Sequence, residues 1–225
     1  GNKELSDSSF SHKKSIDLLS LELSSNSLQF SINNLDQSFN PLNPEGYWKY
    51  TQPKQELEVY YGMLLESNKT EWFKADTLYL NDQPKSESYK VTFNCIDRFN
   101  CMELDVYGTQ IRDDYTKNGI TLWDLANAIF DFYWEQTKET VEYKLDECLK
   151  DIVTLNPYME AIDIKQALQL IANAGHCILY CDENGVITFK NAIDPKISFD
   201  DNGHVEISNL RQAFESTKLP QYSYA

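Results

Sequence analysis

The sequence predicts an α+β fold: an N-terminal antiparallel β-barrel or sandwich, followed by a small module of helix plus β-hairpin. Three observations predict it. Period-two alternation of apolar and polar residues runs from Ser15 to about Asp97. From Asn118 the period lengthens to helical spacing. An Asn184-Gly185 pair then separates two short apolar runs, the pattern of a tight hairpin turn.

Taken in order, residues 1–14 (GNKELSDSSFSHKK) are polar, lack an apolar stretch and read as a flexible leader. Ile16, Leu18 and Leu23, then Leu28, Phe30 and Ile32, alternate with polar neighbours. The run FSINNLDQSFNPLNPEG, residues 30–46, concentrates Asn33, Asn34, Asp36, Gln37, Asn40 and Asn43 with Pro41 and Pro44. In ELEVYYGMLLE, Leu57, Val59 and Tyr61 share a face opposite Glu56, Glu58 and Tyr60. SNKT then leads into EWFKADTLYLND. In YKVTFNC, Tyr89, Val91, Phe93 and Cys95 face one way, and Lys90, Thr92 and Asn94 the other. Such alternation fits an antiparallel sheet with one wet face.

Thr121 caps a predicted helix with Asp124 three residues on, and Leu122, Leu125, Ala126, Ile129 and Tyr133 form its apolar stripe. A second helix opens at Asp163, with Gln166 in the reciprocal capping position and Ile164, Leu168 and Ile171 facing inward. Gly175 suits a left-handed stop. HCILYC-DENG-VITFK is a hairpin, and ISF-DDNG-HVEI, residues 197–207, a second one. Val141 to Leu155 is ambiguous between helix and strand. The composition shift near residue 115 divides a barrel domain, 15–115, from an α+β module, 116–225, whose last strands could return to the barrel.

The chain has 225 residues, enough to bury a core without a metal or disulfide staple. Hydrophobic residues make up 41% and aromatics 13%, which excludes wholesale disorder. No apolar run approaches the roughly 20 residues that cross a bilayer. A net charge of −15 repels phosphate backbones and anionic membranes, so tight nucleic-acid or membrane binding is not expected. The five cysteines (Cys95, Cys101, Cys148, Cys177, Cys181) are odd in number and form no C-x-x-C, which points away from a disulfide framework and toward synthesis in a reducing cytosol.

The loop of residues 30–46 is the first place to look for a metal. It lacks the glycine and glutamate register of an EF-hand and carries one charge, so it reads as a corner in which Asn and Asp side chains bond nearby backbone. His176 and Cys177 are adjacent and diverge on a strand, while Cys177 and Cys181 share a face but lie roughly 13 Å apart. His12 and His204 have no cysteine or histidine at metal-ligand spacing. Asp105, Asp113, Asp114, Asp124 and Glu160 could supply a glycosidase pair, but 35 acidic residues make chance pairs cheap. The sequence has no G-x-S-x-G, Walker loop or G-x-G-x-x-G. Trp123, Phe130, Phe132, Tyr133 and Trp134 could stack on sugars, but at helical spacing they read as core or interface. The expectation is therefore no catalytic, cofactor or metal residue, and no enzyme.

The order FSINNLDQSFNPLNPEGYWKY, LEVYYG, EWFKADTLYLND and VTFNCIDRF resembles tail-tip structural proteins of siphophage-like tails and prophages, similar to baseplate hubs. LDECLKDIV and DIKQALQLIANAGHCILYCDENGVITF resemble the α-β-β module that follows in those proteins. Together these stretches span roughly residues 15–190. The resemblance implies a scaffold in the virion tail, made in the bacterial cytoplasm. It also implies a homo-oligomer, a trimer in hub proteins, that contacts other tail proteins around a DNA-passing channel. The alternative is a carbohydrate-binding β module at a cell surface or tail tip, using Trp48 or Trp72.

Overall fold

Alternation along the chain becomes a curved sheet because each strand has one face to bury. The computed structural model describes residues 5–16, 23–87, 89–106, 119–155, 162–192, 198–199 and 205–206. Strands β1 (Leu5–Ser15), β2 (Ser25–Asn33), β3 (Glu56–Leu64), β4 (Thr70–Leu80), β5 (Lys85–Ser86) and β6 (Lys90–Ile96) form one antiparallel sheet in the order β1-β2-β6-β4-β3, with β5 also on β6. β6 keeps the cleanest period: Val91, Phe93 and Cys95 are buried and their neighbours half-buried. Tyr89 does not join that face; it lies just ahead of the strand and is 61% exposed. Phe93 stacks on its ladder partner Phe30, ring centroids 4.8 Å apart, and Phe39 caps the pair edge-on at 5.5 Å.

The sheet curls into a half-barrel. β4 pairs with β6 only through Tyr79 and Leu80, and beyond them it swings away. The expected leader over 1–14 is a correction: residues 5–15 are the edge strand β1, with His12 opposite Leu28 and Lys14 opposite Asn26. Its polar side chains misled the sequence reading, because two of them bond within the fold, as described below.

The loop after β2 is a stair of turns. Gln37 N–H donates to the Asn34 carbonyl, Asn40 to Gln37, Asn43 to Asn40 and Gly46 to Asn43, all at 2.9–3.1 Å. Each step repeats after three residues. Side chains fix the same steps: the amide oxygens of Asn33, Asn34, Asn40 and Asn43 accept from the backbone N–H of Leu35, Phe39, Leu42 and Glu45 at 2.9–3.1 Å. Three of these are Asx turns and the Asn34 bond reaches five residues on, and all four direct the side-chain oxygens onto backbone, as the corner reading expected. Asn34 is fully buried, and its amide nitrogen donates to Ser86 Oγ at 3.1 Å. Gly46 closes the stair where a Cβ would meet the Ser38 carbonyl oxygen at 2.5 Å.

The second part of the chain packs around α1 (Leu122–Thr137) and α2 (Ile164–Ala174). Short ladders precede them: β7 (Asp105–Val106) with β11 (Ile162–Asp163), and β8 (Ile120–Thr121) with β10 (Val153–Thr154). Thr121 caps α1 as expected, its Oγ1 accepting from Asp124 N–H at 3.0 Å. Leu122, Leu125, Ala126, Ile129 and Tyr133 are buried together with Phe130. Asp163 caps α2, and Ile164, Leu168 and Ile171 are at most 1% exposed. Gly175 is not left-handed, at φ −88°; His176 takes the positive φ of 53°. Gly175 is small for a different reason: a Cβ there would meet Leu149 Cδ2 at 2.2 Å.

The hairpin is β12 (Cys177–Cys181) and β13 (Ile187–Asn191), with Gly185 at φ +78° in its turn. The ambiguous stretch resolves into β9 (Tyr143–Lys144), parallel to β13, a 3-10 turn at Glu147–Lys150, and β10. The chain divides into two compact units, 1–191 and 192–225. In the second, β14 (Ser198–Phe199) pairs with β15 (Val205–Glu206), the expected second hairpin. A return of the last strands to the barrel lies outside the described residues.

The architecture is thus α+β, a β-rich N-terminal region followed by helices and hairpins. Gly46→Ala should lower unfolding stability by about 2 kcal/mol through overpacking against Ser38. Asn34→Ala should cost a similar amount by removing a fully buried amide that bonds the Phe39 N–H and Ser86 Oγ. Urea midpoints at constant slope measure both, and unchanged midpoints would contradict the stair as a stabilising corner.

Candidate functional site

The β3–β4 hairpin continues beyond the core. Residues 60–73 are all exposed, although the ladder stays paired from Tyr60–Lys74 out to Leu64–Thr70. An extra residue, Ala75, marks a bulge between the Val59 and Tyr60 pairs, where the hairpin leaves the half-barrel. The tip turns through Asn68 at φ 56°. One face of this ribbon carries Tyr61, Met63 and Phe73, the other Tyr60, Leu64 and Trp72. Trp72 is 66% exposed and lies over Gly62, where a Cβ would meet the indole at 2.9 Å. With Leu65, these apolar side chains leave roughly 700 Å² open, given the 150–250 Å² that each aromatic side chain can bury. The area is divided between the two faces, so each carries about half of it, comparable to the largest single patch of a soluble protein, and both stand on one projecting hairpin.

Charge on the ribbon is nearly balanced. Lys74 Nζ sits 2.7 Å from Glu58 Oε1, and the Tyr60 hydroxyl donates to Glu58 Oε2 at 3.0 Å. The Lys74 hydrogen bond, helped by Tyr60, holds the Glu58 carboxyl below the usual range.

The root of the ribbon is fixed by a buried carboxylate. Asp76 on β4 is fully buried, with His12 Nε2 at 3.0 Å and Lys14 Nζ at 3.2 Å, both from β1. His12 Nδ1 lies 2.6 Å from the Tyr61 hydroxyl, so one imidazole joins β1, β3 and β4. Tyr61 in turn packs between Phe10 and Phe73, at 6.5 and 5.7 Å between ring centroids. A Tyr-His-Asp chain can relay protons in an open cleft. Here each polar end is held by the fold, and the relay ties strands that the backbone ladder does not join.

Asn26 extends this cluster. Its backbone N–H donates to Asp97 Oδ2, and its side-chain amide lies 3.5 Å from both Asp76 Oδ1 and the Cys181 carbonyl. Burial raises the Asp97 carboxyl, offset in part by the N–H groups of Asn26 and Asn100. Farther round, Glu139 accepts from Lys54 Nζ at 2.7 Å and from the Tyr133 hydroxyl at 2.8 Å. Burial alone would raise the Glu139 carboxyl; Lys54, Tyr133 and Arg98 outweigh it and lower it. Burial, with the Glu139 bond, pushes Tyr133 up to about 12.

The other residues singled out from sequence stay apart. Asp124 serves the α1 cap, and Asp105 pairs with Asp163 in the β7–β11 ladder. Asp113, Asp114, Glu160 and His204 lie outside the described residues. Among the described residues, no group of three His, Cys, Asp or Glu side chains is placed to hold a metal ion. Phe130 and Tyr133 are core, Trp123 and Phe132 half-buried, and Trp134 is half-exposed with Lys138 Nζ 4.6 Å from its ring. Cys177 and Cys181 are both buried on one face, and the sulfur beside Cys177 is that of Cys148. The His12–Asp76–Lys14 cluster was not foreseen, since its members are 64 and 62 positions apart in a chain rich in acids.

No protein-family model matches the chain, and no curated protein matches it. Solved structures do. The chain is similar to the 43 kDa tail protein of prophage MuSo2 from Shewanella oneidensis, with 13% identity and a TM-score of 0.41, covering 88% of this chain and 59% of that one. It is also similar to the tail protein from Neisseria meningitidis MC58, with 14% identity and a TM-score of 0.39, covering 85% of this chain and 48% of that one. The chain thus spans about half the length of either protein. Both TM-scores lie below 0.5, so no property of those proteins is carried to this chain.

Asp76→Ala should lower stability by about 3 kcal/mol, because it strands His12, Lys14 and Asn26 around an empty position. A melting temperature within a degree of the parent would contradict the cluster as a tie. For Glu139 the lowered carboxyl means stability present above about pH 4.3 and lost as pH falls through the folded value. Glu139→Gln should therefore flatten the acid limb of the stability curve between about pH 5 and pH 3. Asp97, raised by burial, works in the opposite sense and is unaffected by that substitution.

Proposed function

We propose that this chain is a structural component of a phage or prophage tail, at the tail tip or baseplate hub, that works through subunit contacts without catalysis. The observation that carries the reading is the ribbon of residues 60–73, apolar on both faces and standing beyond the core. Together the two faces leave roughly 700 Å² of aromatic and aliphatic surface on one projecting hairpin that a partner could cover. In an assembly that clasps the ribbon on both faces, the same area approaches one partner's share, about 800 Å², of a stable interface.

The occupant is a second copy of the chain. β3 ends the strand order, so its outer edge is unpaired among the described residues, while β1 is tied to β4 by His12 and Lys14. The chain as a whole carries −15, yet Glu66, Lys69 and Glu71 leave the ribbon close to neutral. Like copies can therefore meet there without opposing like charges. The motif order from FSINNLDQSFNPLNPEG to VTFNCIDRF supports the tail reading, and the hub resemblance implies a trimeric ring. The acidic balance suits a channel wall that does not retain DNA.

A second reading, glycan binding, rests on Trp72, whose indole lies over Gly62 and is 66% exposed. One experiment separates the two. Light scattering on the full chain should give a multiple of 26.1 kDa, and a Trp72→Ala/Phe73→Ser double variant should be monomeric with its melting temperature within about 2 °C of the parent. A parent that stays monomeric at high concentration and pulls no tail protein from assembled particles would overturn the tail reading. Glycan binding by that monomer, lost on Trp72→Ala, would establish the second reading instead.

A further inference from the structure

The fold brings together two thiols that lie 29 positions apart in sequence. Cys148 Sγ, in the 3-10 turn Glu147–Lys150, is 3.6 Å from Cys177 Sγ at the start of β12. Three contacts hold them there. Asp146 caps the turn through Cys148 N–H at 3.1 Å, and its second oxygen accepts from Asn191 N–H of β13 at 3.0 Å. Leu149, fully buried, packs where only a glycine at 175 leaves room. Both thiols also face the Gly175 carbonyl, at 3.9 Å from Cys148 and 3.5 Å from Cys177. Cys95, Cys101 and Cys181 are buried elsewhere, and no disulfide joins any of the five cysteines.

We propose that Cys148 and Cys177 form an oxidisable pair that a small disulfide such as oxidised glutathione converts to an intramolecular disulfide. The two residues differ in access, which assigns their roles. Cys148 is partly exposed and meets the oxidant; Cys177 is 2% exposed and resolves it. The Cys148 thiolate attacks one sulfur of oxidised glutathione and releases one glutathione thiolate, leaving a mixed disulfide on Cys148. The Cys177 thiolate then attacks the Cys148 sulfur and displaces the second glutathione. Two protein thiols lose two protons and two electrons, and one oxidised glutathione becomes two reduced ones.

Closing 1.6 Å between the sulfurs, from 3.6 Å to the roughly 2.0 Å of a disulfide, is within the reach of side-chain rotation. The bond closes a loop that contains β10, β11 and all of α2. It thereby removes freedom from the unfolded chain while leaving the native packing in place. The chain is reduced where glutathione keeps thiols reduced, and it locks once outside that pool. Burial raises both thiols above their usual range, and the neighbouring Asp146 carboxyl adds to the effect on Cys148. The first step therefore quickens by about tenfold per pH unit above neutrality.

The test incubates the full chain with excess oxidised glutathione, alkylates the remaining thiols after denaturation, and maps the peptides. The expected product is lighter by two hydrogens and joins the tryptic peptide of residues 145–150 to that of residues 166–190. Fragmentation should assign the bond to Cys177 and leave Cys181 alkylated. Its melting temperature should rise by about 5 °C. Cys148→Ser should give neither bond nor shift, while Cys177→Ser should stop at a glutathione adduct on Cys148. Should Cys177→Ser fail to fold, the parent's peptide map and Cys148→Ser still decide the matter. Five alkylated thiols after oxidation, a lasting adduct on Cys148 in the parent, or a bond to Cys95, Cys101 or Cys181 would each overturn the proposal.

Discussion

The structure depends on one buried carboxylate. Asp76 has no contact with water, so its charge must be met inside the protein. His12 and Lys14 of the first strand meet it from one side and Asn26 of the second from the other. The consequence is geometric: β4 leaves β6 after two residue pairs, and without Asp76 nothing in the backbone ladder would hold it against β1. The half-barrel therefore closes through side chains. Asn26 also reaches Asp97 and the Cys181 carbonyl, so the same node joins the sheet core to the hairpin core.

Around that node lie two apolar cores. Leu28, Val59, Leu78, Val91 and Phe93 belong to the sheet, and Phe99, Ile129, Leu168 and Phe189 to the helices and hairpin. Polar groups lie between them: Thr77 Oγ1 donates to the Glu183 carbonyl, and Arg98 donates to the Thr140 carbonyl. Hydrogen bonds of this kind set orientation more than total stability, which the two cores supply. The ribbon is tied to this junction at its root, where His12 meets the Tyr61 hydroxyl.

Local signals were legible in the sequence and long-range polar pairings were not. Thr121 and Asp163 cap their helices as predicted, and the Asn184-Gly185 hairpin forms where it was expected, because each depends on residues a few positions apart. The asparagine-rich corner was also readable, though its three-residue stair was missed; the spacing of Asn34, Gln37, Asn40, Asn43 and Gly46 was the available signal. β1 is hidden in the sequence because His12, Lys13 and Lys14 resemble a solvated leader, and only the fold supplies Asp76 as the counterpart of His12 and Lys14. Gly175 shows the same limit: its small size serves Leu149, 26 positions away, not a left-handed helix stop. For the ribbon, alternation is legible in the residues but exposure is not. Tyr61 follows Leu57 and Val59 in register, yet the bulge at Ala75 carries it out of the core.

The central claim is that residues 60–73 form an assembly surface. Hydrogen exchange measured on dilute chain and on assembled particles addresses it directly. Amides from Tyr60 to Phe73 should gain strong protection on assembly, while those of Val91 to Cys95 stay as they were. Unchanged exchange across the ribbon in the assembled state would contradict it.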